Sequence, residues 1–210
     1  MSTLSFWIQM IATAAFAITA VLALADADVD LFAPMVLGVI TAVGGGTVRD
    51  VVLGVPVFSA EDQTYIWIAL SASLIAFASR SLLTQPQVLS LMLYIDGLGA
   101  ALFGIQGASK AWQLNFGIPV APVILGITTA IGGGLIRDVL AGRQTLLMSR
   151  ELYAIPVTMG CIAYAVLVDY VPEDTQVAAL LSIILIFSFR AAAIHWNLRV
   201  PDRFIGRPRG

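Results

Sequence analysis

The chain has 210 residues, of which 59% are hydrophobic and 11% charged, with a formal net charge of −2. A soluble domain carries roughly 25% charged residues, so this composition excludes an ordinary soluble protein and describes one embedded in lipid. The near-neutral charge offers nothing to nucleic acid, and the single cysteine, Cys161, excludes an intrachain disulfide and a cysteine-held metal site.

A helix needs about 20 largely apolar residues to cross ~30 Å of hydrocarbon. Seven segments meet that length, at about 5–25, 33–53, 63–83, 89–108, 119–141, 151–171 and 175–196. The first ends in Ala23-Leu24-Ala25, which resembles a signal-peptidase site. No Lys or Arg precedes it, and it has a counterpart later in the chain, so a retained helix is expected. Asp26, Asp28 and Asp30 follow, in the spacing that starts a calcium loop. Leu31 and Leu37 stand where such a loop needs glycine and glutamate, so a solvated acidic loop is expected instead. The remaining linkers are short and leave no room for a soluble domain. Cys161 reads as apolar filler of the sixth span. In the seventh, Arg190 is expected to snorkel to the headgroups and His195 to sit at the interface. The tail, with Arg199, Arg203, Arg207 and Arg209, is expected to be poorly ordered.

Basic residues orient the spans. One set of loops holds Arg80, Arg143, Arg150 and the tail arginines, and the other holds only Lys110. The first set is therefore expected in the cytoplasm, with the N-terminus outside and the C-terminus inside. Trp7, Trp67, Trp112 and Trp196 fall near span ends, where aromatic belts form.

The second and fifth spans carry a repeat. Pro34 to Gly54 and Pro122 to Gly142 are identical at 12 of 21 positions, 88 residues apart, and both contain GGGxxRD. Tyr65 and Tyr153 share that offset, while Phe16 and Phe103 share an offset of 87. A repeat of this length fits a three-helix unit used twice. Three is odd, so the second unit enters the membrane from the opposite side. The expected fold is an all-α membrane protein of seven transmembrane helices: a first repeat at 1–87, an inverted second repeat at 88–173, a seventh helix at 174–197 and a basic cytoplasmic tail at 198–210. Such folds place their site near the midplane, between the repeats.

Each glycine costs a helix about 1 kcal/mol relative to alanine, so Gly44, Gly45 and Gly46, and likewise Gly132, Gly133 and Gly134, favour a kink or an unwound turn. Backbone freed there would line a wet cavity. The same glycines also suit a close helix contact. Arg49-Asp50 and Arg137-Asp138 lie one turn on. Adjacent helix residues point in different directions, so each arginine is expected to pair with another helix, and Asp96 is a candidate partner. Charge inside a membrane is costly and marks either a solute path or an ion pair locking two helices. Gln9 stands at the repeat position of Asp96, making the halves chemically unequal. Thr41 and Thr129, just before the glycines, either line a path or bond back to their own helices.

The doubled GGGxxRD in seven helices resembles the trimeric intracellular cation (TRIC) channels in their prokaryotic branch. It is also similar to bacterial membrane proteins described as glycine transporters. The TRIC resemblance implies a homotrimer in the prokaryotic inner membrane, in contact with lipids, with an hourglass pore in each protomer. It implies second and fifth helices kinked at the triple glycines. It further implies a polar network of Arg49, Asp50, Arg137 and Asp138 near the constriction, and potassium or sodium as permeant ions rather than a bound cofactor. Two things depart from the family: the basic lipid-binding motif of animal members is absent, and Gln9 replaces an aspartate. The alternative is a carrier for glycine or another small zwitterion. The chain lacks paired histidines, HExxH and a serine–lysine arrangement at helical spacing, so an enzyme is not expected.

Overall fold

A computed structural model of the chain describes residues 3–80, 85–149 and 152–199. The elements are α1 (Thr3–Ala23), α2 (Phe32–Leu53), the single turn α3 (Phe58–Glu61), α4 (Thr64–Ser79), α5 (Gln85–Gln113), α6 (Val120–Leu140), α7 (Ala154–Tyr170) and α8 (Thr175–His195). Short 3-10 turns lie at Leu146–Met148 and Pro172–Asp174. Every expected apolar segment forms a helix. Five of them (α1, α2, α5, α6 and α8) are long and apolar enough to cross a membrane, while α4 and α7 are shorter apolar helices. Arg150 and the tail from residue 200 lie outside the described residues.

The helices are α1 and α5 at the centre, with the others around them. Both central helices bury most of their length. Small side chains make that possible: Ala12, Ala17, Ala20, Ala100, Ala101 and Ala108 are at most 1% exposed and let backbones approach closely. Phe16 and Phe103, equivalent in the repeats, stack face to face across this centre with ring centroids 5.4 Å apart. Buried threonine hydroxyls bond back to their own helices, as where Thr13 donates to the Gln9 carbonyl at 2.8 Å. Trp7, Trp67 and Trp196 are exposed near helix ends, as expected of an aromatic belt.

The second helix of each repeat stops in the same way. Gly54 and Gly142 take left-handed φ values of 67° and 64°. The amides of the next residues, Val55 and Arg143, donate to the carbonyls of Asp50 and Asp138 at 3.1 and 2.8 Å. This is a Schellman stop. An added methyl would meet nothing within 4 Å at either glycine, so the backbone conformation, not space, requires glycine there. Gly54→Ala is expected to cost about 1–2 kcal/mol of stability. Thermal unfolding of the purified protein in detergent measures this; an unchanged midpoint would contradict it.

The unwound turn expected at the triple glycines is not there. α2 and α6 run as unbroken α-helix through residues 44–46 and 132–134. The glycines instead form a reciprocal crossing. A methyl on Gly45 would overlap the Thr129 carbonyl oxygen, and one on Gly133 would overlap the Thr41 carbonyl oxygen. A methyl on Gly132 would lie 3.2 Å from the Gly45 Cα. Hydrogen bonds of the helix offset the glycine propensity cost once tertiary contact holds it, so the triplet packs rather than breaks.

Candidate functional site

The fold brings the two Arg-Asp pairs to opposite ends of the bundle. α1 and α5 run antiparallel at its centre. One pair meets the start of α1 and the end of α5, and the other meets the end of α1 and the first half of α5.

Within each pair the side chains bond to each other, contrary to expectation, while Arg137 also meets Asp96 on α5, the partner expected for an arginine. The Arg49 Nε donates to Asp50 Oδ1 and the Arg137 Nε to Asp138 Oδ1, both at 2.8 Å. Neighbouring residues diverge by about 100° around a helix, but the arginine stem is long enough to curl back across that arc. Each aspartate also folds the chain that follows it. Asp50 Oδ2 accepts the Phe58 amide at 2.9 Å, and Asp138 Oδ2 accepts the Leu146 amide at 3.1 Å. These carboxylates cap the first turn after each helix and hold it beneath the helix end.

Around this shared frame the two ends differ. At the first, a half-open cavity of 510 Å³ is floored by Arg49 and walled by Gln9, Tyr65, Gln106, Ser109 and Lys110, with apolar residues of α8 on the far side. We call it the vestibule. The Lys110 ammonium donates to Asp50 Oδ1 at 2.7 Å, so two cations share one fully buried carboxylate. Tyr65 donates its hydroxyl to Gln9 Oε1. Glu61 and Asp62 stand at the rim. The Thr64 side chain and amide bond to Asp62 and hold its carboxyl below the usual carboxylate range, so the rim stays anionic at neutral pH.

At the second end the equivalent groups are sealed. Arg137 Nη1 donates to Asp96 Oδ1 at 2.6 Å and to Thr19 Oγ1 at 2.7 Å. Asp96, Arg137 and Thr19 are fully buried. Tyr153, the counterpart of Tyr65, is covered by the Arg190 guanidinium, 4.8 Å above its ring. Arg190 Nη1 also donates to the Leu152 carbonyl at 3.3 Å, and the arginine is only 2% exposed. The expectation that Arg190 snorkels to headgroups is thus overturned: a backbone carbonyl and an aromatic ring inside the bundle outcompete the interface. Arg137 Nη2 is buried with no hydrogen-bond partner among the described residues, next to the buried Asp96 carboxylate and Tyr153 hydroxyl. They lie beside Gly134, whose added methyl would sit 3.1 Å from that hydroxyl and 3.5 Å from Arg137 Nη2.

The remaining expected residues are placed as follows. Thr41 and Thr129 are buried and donate to the Leu37 and Leu125 carbonyls of their own helices at 2.7 and 2.6 Å. Gly44 faces Ile136, and Gly46 faces the Phe58 ring. Cys161 is buried against Gly126, as Ser73 is against Gly38 in the other repeat. His195 packs edge-on to Trp196 at 5.7 Å at the end of α8. Asp30 caps the start of α2, bonding the Phe32 and Ala33 amides at 3.1 Å, and Asp26 reaches Arg143 at 3.6 Å. Sequence reasoning missed Lys110, using it only to orient the loops. Its isolation as the lone basic residue of its loop set was the available signal. It also missed the paired roles of Tyr65 and Tyr153, although their shared offset was visible.

Three comparisons bear on this geometry. A family model described as "Glycine transporter" matches residues 6–81 and again 93–169. The chain is 35% identical over 201 residues to the UPF0126 inner membrane protein YadS of Escherichia coli (strain K12), spanning 94% of this chain and 95% of that one. Its fold matches the TRIC trimeric intracellular cation channel orthologue from Rhodobacter sphaeroides with a TM-score of 0.87 and 30% identity, over 94% of this chain and 100% of that chain. A second TRIC cation channel structure, also 30% identical, matches with a TM-score of 0.81 over 96% and 98% of the two chains.

Proposed function

This chain belongs to the glycine transporter family and to the structural family of the TRIC channels, and we propose that it conducts monovalent cations, potassium among them, across a prokaryotic inner membrane. The observation that carries this reading is the pair of equivalent Arg-Asp networks, one at each end of the crossing of α2 and α6. They sit in a fold shared over nearly its whole length with cation channels. In this reading all seven apolar helices span the membrane, as two inverted three-helix repeats and a seventh helix. The N-terminus is outside, so the vestibule opens outward and the Arg137 end faces the cytoplasm. Each protomer holds its own hourglass path along α2 and α6, with the glycine crossing as its waist. The trimeric Rhodobacter relative supports a homotrimer. The sealed Asp96–Arg137–Tyr153 end is the closed half of the path, which parts when the channel conducts.

Two features of the vestibule suit cations. Rim carboxylates Glu61 and Asp62 raise their local concentration. Behind them, Lys110, 31% exposed, holds the Asp50 carboxylate with a flexible and displaceable ammonium. Lys110→Met is therefore expected to raise potassium conductance several-fold and to leave folding unchanged.

Planar-bilayer recording of the purified protein under a potassium chloride gradient tests the proposal. Discrete current steps reversing near the potassium potential are expected. Silence from inserted, folded protein would sink the channel. A second reading, a carrier for a small zwitterion such as glycine, draws on the family description and on the two signs of charge around one vestibule. It predicts saturable uptake of labelled glycine without unitary currents.

A further inference from the structure

The repeats are alike in backbone but not in charge. At the sealed end Arg137 meets two carboxylates, Asp138 at 2.8 Å and Asp96 at 2.6 Å, and its charge is more than offset. At the vestibule the residue in the place of Asp96 is Gln9, which is neutral and takes the Tyr65 hydroxyl. Arg49 pairs with Asp50 and lies over the Phe58 ring at 5.5 Å, no second carboxylate pairs with it among the described residues, and Asp50 is also held by Lys110 at 2.7 Å. One carboxylate thus serves two cations, leaving a surplus of one positive charge on the cavity floor.

The surplus is shared between a buried guanidinium and an ammonium that is 31% exposed at the cavity wall. The Arg49 side chain is 2% exposed and Asp50 is fully buried, yet Arg49 lines the 510 Å³ cavity. One carboxylate cannot neutralise both cations, and no second carboxylate pairs with either of them among the described residues. Glu61 and Asp62 do not do so either. They lie at the mouth, away from the floor, and form no ion pair with Arg49 or Lys110 among the described residues. An arginine fork facing a polar, water-accessible cavity is a receptor for a small anion. Hydroxyl and amide groups of Tyr65, Gln9, Gln106 and Ser109 surround the same space.

We propose that the vestibule binds a small monovalent anion, a halide or a carboxylate, at Arg49, where it takes the place that Asp96 fills at the other end. Gln9 is the residue that leaves the site open. The bound anion restores neutrality at the floor. The site does not depend on which solute crosses the membrane, so a silent bilayer leaves it standing.

The test uses the purified full chain in detergent at constant ionic strength. Sodium gluconate is exchanged for sodium bromide or sodium formate, and the unfolding temperature is followed. A saturable upward shift is expected for the wild type with at least one of the two. A larger shift with bromide marks a halide site, and a larger shift with formate marks a carboxylate site. Gln9→Asp supplies the missing carboxylate and is expected to abolish the shift. Lys110→Gln removes the surplus at a partly exposed side chain that tolerates change, and is expected to abolish it too, which keeps the test valid if Gln9→Asp folds poorly. Crystals grown in bromide are expected to show anomalous density beside Arg49. No saturable shift with either salt in the wild type, an equal shift in Lys110→Gln, or, for a wild type that responds to bromide, bromide density absent from the Arg49 floor would each overturn the proposal.

Discussion

Gly45→Ala is expected to lower the unfolding temperature sharply and to reduce the yield of folded protein. The added methyl would overlap the Thr129 carbonyl oxygen and lie 3.2 Å from the Gly133 amide nitrogen. Both are backbone atoms of a continuous helix and cannot swing aside. Overpacking of a tight contact costs about 1–3 kcal/mol or more. Here the relief is separation of α2 from α6, which dismantles one of the contacts joining the two repeats. Gly133→Ala is expected to match it, because the crossing is reciprocal. Gly44→Ala is the control: its methyl would meet the tip of the Ile136 side chain at 2.8 Å, which can rotate away. Thermal unfolding of the three variants in detergent checks the ranking. Equal midpoints for Gly44→Ala and Gly45→Ala would show that the glycines are not a packing seam.

Asp96→Asn is expected to be the most damaging single change among the charged residues. Asp96 and Arg137 are both fully buried and 2.6 Å apart. Breaking a buried pair costs about 3–5 kcal/mol when it strands a charge; Arg137 keeps Asp138 on its Nε, and the low end of that range is expected, for an Nη1 left facing a neutral amide in the core. Asp138 would remain, but it already accepts the Leu146 amide and the Arg137 Nε. The vestibule offers the contrast. Lys110→Met removes a partly exposed partner of Asp50, and Arg49 remains beside that carboxylate. Its stability is expected to change by well under half as much, with conductance the affected quantity. Denaturation in detergent for both variants checks the difference; equal losses would mean that the two ends are equally enclosed.

Several features of the molecule were legible in the chain before folding. Membrane composition, seven apolar segments and the doubled motif follow from residue order alone, because hydropathy over about 20 residues and a long internal repeat are local or self-referential signals. The inequality of Gln9 and Asp96, and the candidacy of Asp96 as an arginine partner, were likewise visible from the offset between repeats. Glycine propensity misled for a physical reason. It reports the cost of a helix in isolation, whereas Gly45 and Gly133 each face a carbonyl of the opposite helix, and that contact outweighs the cost.

Only the tertiary structure decided which charges meet. Arg49 and Arg137 carry the same motif, yet one floors an open vestibule with Lys110 while the other is sealed beneath Arg190 and Tyr153. Lys110 lies 60 residues from Asp50, and Arg190 lies 38 from Leu152. Pairings across such separations depend on how α5 and α8 pack against the repeats, and α8 has no repeat partner from which to read its place. The residue order by itself therefore determined a membrane-embedded, duplicated helical protein with two charged motifs. Packing decided that one motif faces a cavity and the other a closed core, because burial and ion pairing are properties of neighbours in space.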